Sequence, residues 1–326
     1  MTTQTSSIYR DALVWDSHSC LPLTPGRDLS SIARHRDAGV SAVSINVGMD
    51  AQSTDDVNST LAHMHHWFGQ HGEEYALLPD TASLPGLKQQ GKMAIYFDLE
   101  GANALGEDPA MVERYYQRGV RQMLLAYNRD NAYCGGCLDG NTGLSPLGRQ
   151  VIQRMQQTGM LVDCSHISER SARDIMDIVS GPMVFSHANP NAVYAHPRNI
   201  SDGLIRACAN SGGVVCINGI GIFLGDNDSS TQTLFRHLDY VCQMVGAEHL
   251  GFGLDFIFDG EDELEAMAAA NPGMFPNAPH GDDFAMVLPE QISQLTQLMQ
   301  QAGYPEAAIR GILGENYLRV VNQVWK

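Results

Sequence analysis

Seven side chains able to bind a metal or move a proton stand where short apolar runs end. His18 and Cys20 follow "ALVWD", Glu100 closes "MAIYFDLEG", and Tyr127 lies in "QMLLAYN". His166 ends "MLVDCSH", His187 ends "PMVFSH", and Asp255 lies in "HLGFGLDF". Imidazole and carboxylate together suit zinc and similar divalent ions, and one carboxylate can bridge two of them. A single histidine at such a place has a plain reading, because neutral imidazole readily finds backbone partners. Three at corresponding positions, with Glu100 and Asp255, argue for one shared metal site.

For residues so far apart in sequence to meet, the elements carrying them must converge. The candidate strands are residues 12–16, 41–47, 93–101, 122–128, 160–166, 182–187, 212–219 and 249–256. They are mostly apolar on both faces, as parallel strands covered on both sides are. Segments such as "DPAMVERYYQRGV" and "SPLGRQVIQRMQQTG" intervene, with apolar residues at intervals of three and four, Asp, Ser or Pro at the start and Gly at the end. About eight such units predict an α/β fold, a single (β/α)8 TIM barrel over residues 1–326, with a doubly wound open sheet as the alternative. In a barrel the carboxyl ends of all strands share one face, where active sites lie. Residues 259–283, polar and Pro/Gly-punctuated, read as a loop insertion after the last strand, of the kind that covers a site.

The totals narrow the function classes. A formal net charge of -17 repels phosphate backbones and anionic surfaces, so neither nucleic acid nor a membrane is an expected partner. The first twenty residues have neither a basic start nor an apolar core, and no run nears the roughly 20 apolar residues of a membrane span, which predicts a cytoplasmic protein. Seven cysteines, several inside apolar runs, read as free thiols. Three attractive patterns have weak support. The Cys134 and Cys137 pair lacks a second half-site. "CINGIGIFLGD" resembles a dinucleotide turn, but the next helix starts near Thr231, too late to meet a phosphate. His63, His65, His66 and His71 read as a solvated helix.

The segments "DSHSCLP", "FDLEG", "LVDCSHIS", "VFSHANP", "HPRNISD", "GFGLDF" and "ILGENYLRV" occur in order along almost the whole chain. They resemble the signatures of the membrane (renal) dipeptidase family, peptidase family M19, a branch of the amidohydrolase-like metal barrels. The resemblance implies a binuclear zinc site in which Glu100 bridges the two ions. One ion takes His166 and His187, and the other takes His18 and the residue two further on. That residue is ordinarily aspartate and here is Cys20. The family's carbonyl-orienting histidine near the fourth strand is replaced by Tyr127. Arg198 matches the carboxylate-binding arginine, with a surface pair to Asp202 as the plain alternative. Asp255 matches the proton-handling aspartate, or serves as a further ligand.

Strand alternation predicts that His18 and Cys20 face the metals while Ser17 and Ser19 face away. A thiolate binds zinc well and disfavours magnesium or manganese; alternatively Cys20 is a small core residue and one ion remains. Tyr127 can donate to a developing oxyanion but offers no positive charge. The expected activity is hydrolysis of a dipeptide or dipeptide-like amide by metal-activated water. Its alternatives are another small carboxylate-bearing amide, or a silent barrel that binds an amino-acid-like ligand. The resemblance also favours a homodimer.

Overall fold

The computed structural model describes residues 7–78, 80–274 and 285–326. Eight parallel strands follow one another as β1 (Trp15–Cys20), β2 (Ala42–Met49), β3 (Met93–Glu100), β4 (Val120–Leu124), β5 (Leu161–Val162), β6 (Val184–Phe185), β7 (Val214–Asn218) and β8 (Leu250–Gly253). Their order in the sheet is β5-β4-β3-β2-β1-β8-β7-β6. A parallel bridge between Asp163 and Val184, with the Cys164 amide donating to the Val184 carbonyl at 2.8 Å, joins the two ends. The result is the predicted (β/α)8 barrel, and the open-sheet alternative is not what forms. Two short strands extend it: Tyr75–Leu77 pairs with β3, and Phe256–Ile257 pairs with β1.

The helices start and stop where local chemistry directs. Pro146–Thr158 begins on Ser145, whose side chain accepts from the Gly148 amide, and ends on Gly159 in the left-handed region. Ser168 and Ser201 cap the helices Glu169–Met176 and Asp202–Asn210 in the same way. The helices cover Val43, Ile45, Ile95, Phe97 and Leu99 on the outer face of β2 and β3, all buried. Burial of each such side chain contributes about 1.5–3 kcal/mol.

Inside the barrel the side chains lie in layers. At the amino-terminal end Trp15, Tyr96, Leu161, Val184 and Val214 meet Tyr317, Val320 and Val321 of the final helix, Asn316–Val324. The Trp15 indole donates to the Tyr96 hydroxyl at 3.1 Å, and the Tyr317 hydroxyl donates to Gln122 of β4. Gly314 lets that helix approach, since a Cβ there would lie 2.7 Å from the Leu13 carbonyl and 3.0 Å from the Trp15 Cβ. Above this apolar floor the interior becomes polar: Tyr96, Asp98 and Glu100 succeed one another on the inner face of β3.

Most strands are shorter than their apolar runs. β5 and β6 keep two residues each because the Asp163 carboxylate accepts from the Ser165 amide at 2.9 Å and the Ser186 amide at 3.1 Å, pulling both chains out of the ladder. β8 stops at Gly253, ahead of Asp255, whose φ is +56°. β1, by contrast, runs on to Cys20, so His18 and Cys20 lie within the strand. Of the predicted insertion at 259–283, residues 261–270 form a helix, Glu261–Ala270, and residues 275–283 lie outside the described residues.

Candidate metal centre

Three imidazoles converge on one carboxylate oxygen at the carboxyl end of the barrel. Glu100 Oε1 lies 3.1 Å from His166 Nε2, 3.2 Å from His187 Nε2 and 3.5 Å from His18 Nε2. The four residues are between 0% and 5% exposed. Each ring is oriented by its other nitrogen. His18 Nδ1 meets Asp98 Oδ2 at 3.1 Å, and Asp98 also accepts from Ser44 Oγ at 2.5 Å. His166 Nδ1 meets Asn128 Oδ1 at 2.8 Å; the Asn128 amide group donates to the Met274 carbonyl, which fixes its oxygen towards the ring. His187 Nδ1 meets Ser186 Oγ at 2.6 Å, and that hydroxyl gives its own proton to Asp163.

These partners place a proton on Nδ1 of His166 and His187 and leave a lone pair on each Nε2. The two Nε2 atoms nevertheless lie 2.8 Å apart. Two lone pairs at that distance repel unless a cation lies between them, so the donor set fits a divalent metal. Burial and the nearby charges of Arg198 and His18 hold both imidazoles well below their ordinary range, in the neutral form a metal requires.

The second half of the cluster has mixed donors. Cys20 Sγ lies 3.6 Å from His18 Nε2 and 4.0 Å from Asp255 Oδ1, and Asp255 Oδ1 lies 3.5 Å from His18 Nε2. Nitrogen and sulfur bound tetrahedrally to one zinc, at about 2.0 and 2.3 Å, are separated by roughly 3.5 Å. The Cys20 and His18 spacing therefore fits a shared ion. Burial pushes the Cys20 thiol up to about 12 and the Glu100 carboxyl up to about 8. Burial lowers His18, but the charges of Asp98 and Glu100 outweigh it and hold the imidazole well above its usual value. For Asp255 burial raises the carboxyl, and the hydrogen bond and charge of His18 outweigh that, holding it below the usual value. A divalent ion favours thiolate, carboxylate and neutral imidazole together.

Each residue proposed for the site from the sequence borders this centre, while one expectation, the facing of Ser17, and one alternative, a surface Arg198, need correction. β1 and β2 shift register between Asp16 and Ser19, a bulge that breaks strict alternation. Ser17 therefore donates to the Ser186 and Phe252 carbonyls of the neighbouring barrel strands instead of facing away, while His18 and Cys20 still share one cavity. Arg198 is no surface residue: it is 4% exposed, donates to the His187 carbonyl at 2.7 Å and lies near the Phe223 ring, while Asp202 contacts Tyr240 and Arg206. Tyr127 stacks on His166 with ring centroids 4.3 Å apart, its amide held by the Asp50 carboxylate at 2.9 Å. Gly101 admits that carboxylate, since its φ is +128° and a Cβ would lie 2.2 Å from Asp50 Oδ1.

The cavity above the centre has about 1060 Å³ of free space including its open mouth. Leu264 and Met267 of the helix Glu261–Ala270 form part of its wall. The start of that helix is tied down by Glu263 Oε2 accepting from the Leu23 amide at 2.7 Å and by Arg27 with Asp262 at 2.8 Å.

Asp98, Asn128, Asp163 and Ser186 went unnoticed in the sequence. Asp98 had a signal, since it stands two before Glu100 on a strand and so shares its face. The weaker patterns resolve as structural features. Cys134 is buried and Cys137 donates to Asn128 at 3.4 Å, and all seven cysteines are free. His63 and His65 are half-buried against the Arg27 and Arg118 carbonyls at 2.8 Å, and only His66 of that group is exposed. The glycine-rich turn ends in a four-residue helix, Gly221–Leu224, and the next begins at Thr231.

An amidohydrolase structure from Pseudomonas aeruginosa superposes with a TM-score of 0.88 over 98% of both chains at 24% identity. A Rhodobacter sphaeroides metallopeptidase, solved with a phosphinate mimic of the dipeptide L-Ala-D-Ala, gives 0.76 over 97% of this chain and 100% of its own at 19% identity. The chain belongs to the membrane dipeptidase family, peptidase family M19, whose family model matches residues 3–270. Two uncharacterized dipeptidases of Schizosaccharomyces pombe are 29% identical over 254 residues and 30% over 211. These alignments cover 75% and 63% of this chain, which spans about half the length of the curated relatives it matches. Among the described residues no helix is long and apolar enough to cross a membrane.

Proposed function

We propose that this chain is a zinc-dependent hydrolase of dipeptides or dipeptide-like amides. Glu100, His166 and His187 hold one ion, and His18 with Cys20 extends the ligand set to a second. Zinc held by these residues would supply Lewis acidity to the amide carbonyl and would lower the pKa of water towards neutrality. Asp255, an ionised carboxylate beside His18 and steadied by the Asn218 amide group at 2.8 Å, takes the proton of the attacking water and returns it to the leaving amine. Tyr127 supports the oxyanion: burial first, then the charges of Glu100 and Asp255, keep its hydroxyl protonated and able to donate. Arg198 grips the substrate carboxylate, having a buried Nε with no partner among the described residues.

The observation that carries this reading is the meeting of two Nε2 lone pairs, 2.8 Å apart, on Glu100 Oε1. The test is elemental analysis of bound metal per chain, followed by assay of the zinc-loaded protein on L,L and L,D dipeptides and N-acyl amino acids. One or two zinc ions and turnover of a dipeptide are expected. Metal without turnover of any dipeptide, or no metal at all, overturns the reading. Arg198→Met should raise KM for the dipeptide far more than it lowers kcat.

A further inference from the structure

The cavity wall says which dipeptides fit. Arg198 donates to the carbonyl of His187, a residue of the metal cluster, and borders the same cavity as Glu100 and His166. The Arg198 Cζ lies 5.9 Å from the Phe223 ring centroid. The side chain of a C-terminal residue branches from the carbon that bears its carboxylate, so with that carboxylate on Arg198 it would start within reach of Phe223. The wall of this cavity is largely apolar, with Ile220, Ile222, Phe223, Ile257, Leu264 and Met267 among its lining residues. Among the described lining residues, the carboxylates of Glu100 and Asp255 belong to the metal cluster. Arg198 is the sole Lys or Arg among the described lining residues, and the Glu263 carboxylate is taken by the Leu23 and Thr24 amides. A charged side chain buried there would lack a partner, and an apolar one would displace water from apolar surface.

We infer that the substrates are dipeptides with a large apolar C-terminal residue, and that Phe223 is the residue that selects for it. This rests on the hydrolase reading above. Phe223 is only half-buried and sits in the short helix Gly221–Leu224, where its carbonyl, not its ring, accepts from Asn199 Nδ2 at 2.9 Å. Shortening its side chain leaves that backbone contact in place.

The experiment has two arms on the zinc-loaded full chain. The first measures kcat/KM for Ala-Gly, Ala-Leu, Ala-Phe, Ala-Asp and Ala-Lys. The second measures, by calorimetry, the affinity of phosphinate analogues of the same five peptides, which need no turnover. Leu and Phe should exceed Gly by roughly tenfold to a hundredfold in both arms, the range an apolar pocket yields, with Asp and Lys below Gly. Phe223→Ala should cut the Phe-to-Gly ratio about tenfold, and Phe223→Leu should keep most of it. If no peptide is cleaved, the hydrolase reading falls, while the order of analogue affinities still decides the preference. A flat series, a preference for Asp or Lys, a ratio unmoved by Phe223→Ala, or no binding of any analogue overturns the inference.

Discussion

Asn128 has no bond to a metal, yet its replacement should weaken metal binding. Its Oδ1 accepts from His166 Nδ1 at 2.8 Å, and its Nδ2 donates to the Met274 carbonyl at 3.0 Å. The first bond sets the tautomer and angle of a cluster imidazole; the second joins that imidazole to the segment following the helix over the cavity. Loss of such an orienting partner costs about tenfold to a hundredfold in metal affinity, or about 1.4–2.7 kcal/mol. The backbone makes the choice of variant decisive. Asn128 has a φ of +63°, where alanine is strained but glycine is at ease. Asn128→Gly thus removes the side chain without backbone cost, and its zinc affinity, from competition with a chromophoric chelator, should fall by that factor. Asn128→Asp keeps an oxygen facing His166 and loses only the donor to Met274, so it should stay within about threefold of the parent. An Asn128→Gly protein that binds zinc as tightly as the parent would refute the claim that this amide fixes His166.

Three further outcomes are expected. Cys20→Ala should lower bound zinc by about one ion per chain in elemental analysis, and Cys20→Asp should restore it while improving manganese uptake; unchanged content and preference in both would remove the thiol from the ligand set. Burial lowers the His237 imidazole to about 4, whereas an unfolded chain takes up that proton near 6.5. The unfolded state therefore binds more protons between those values, and stability is full above pH 6.5 and lost as pH falls towards 4, by about 3 kcal/mol in all. Urea unfolding across that window should show a shallower loss in His237→Gln, and equal slopes would contradict it. Tyr317→Phe deletes the hydroxyl that donates to Gln122 and should cost about 1–3 kcal/mol in urea unfolding, with zinc content unchanged.

The barrel and the outline of its centre were legible because both rest on local periodicity. Apolar runs bounded by helical segments reveal parallel strands, and a polar residue closing such a run must lie at the rim. This reasoning finds Glu100, His166 and His187 directly. It misses the bulge in β1, which arises from pairing with β2 and leaves no mark in "WDSHSC". It also misses Asp163 and Asn128, whose partners Ser186 and His166 lie 23 and 38 residues away in other loops. Ile222, Phe223 and Leu264 were hidden for the opposite reason, since an apolar residue lining a cavity reads in sequence like one in a core. Arg198 and the role of Asp255 came into view only through the family resemblance, because spacing alone does not mark an arginine in a loop.

The floor of the barrel has a consequence for how the molecule comes into being. Tyr317 and Trp325 close the amino-terminal opening against Trp15 and Tyr96, residues made some two to three hundred positions earlier. During synthesis the first strands leave the ribosome with their aromatic undersides bare, and no local neighbour can cover them. The cylinder is sealed only when residues 316–325 emerge. A ribosome stalled near residue 315 would thus carry an open-bottomed cylinder, a natural client for chaperones that shield exposed aromatic surface.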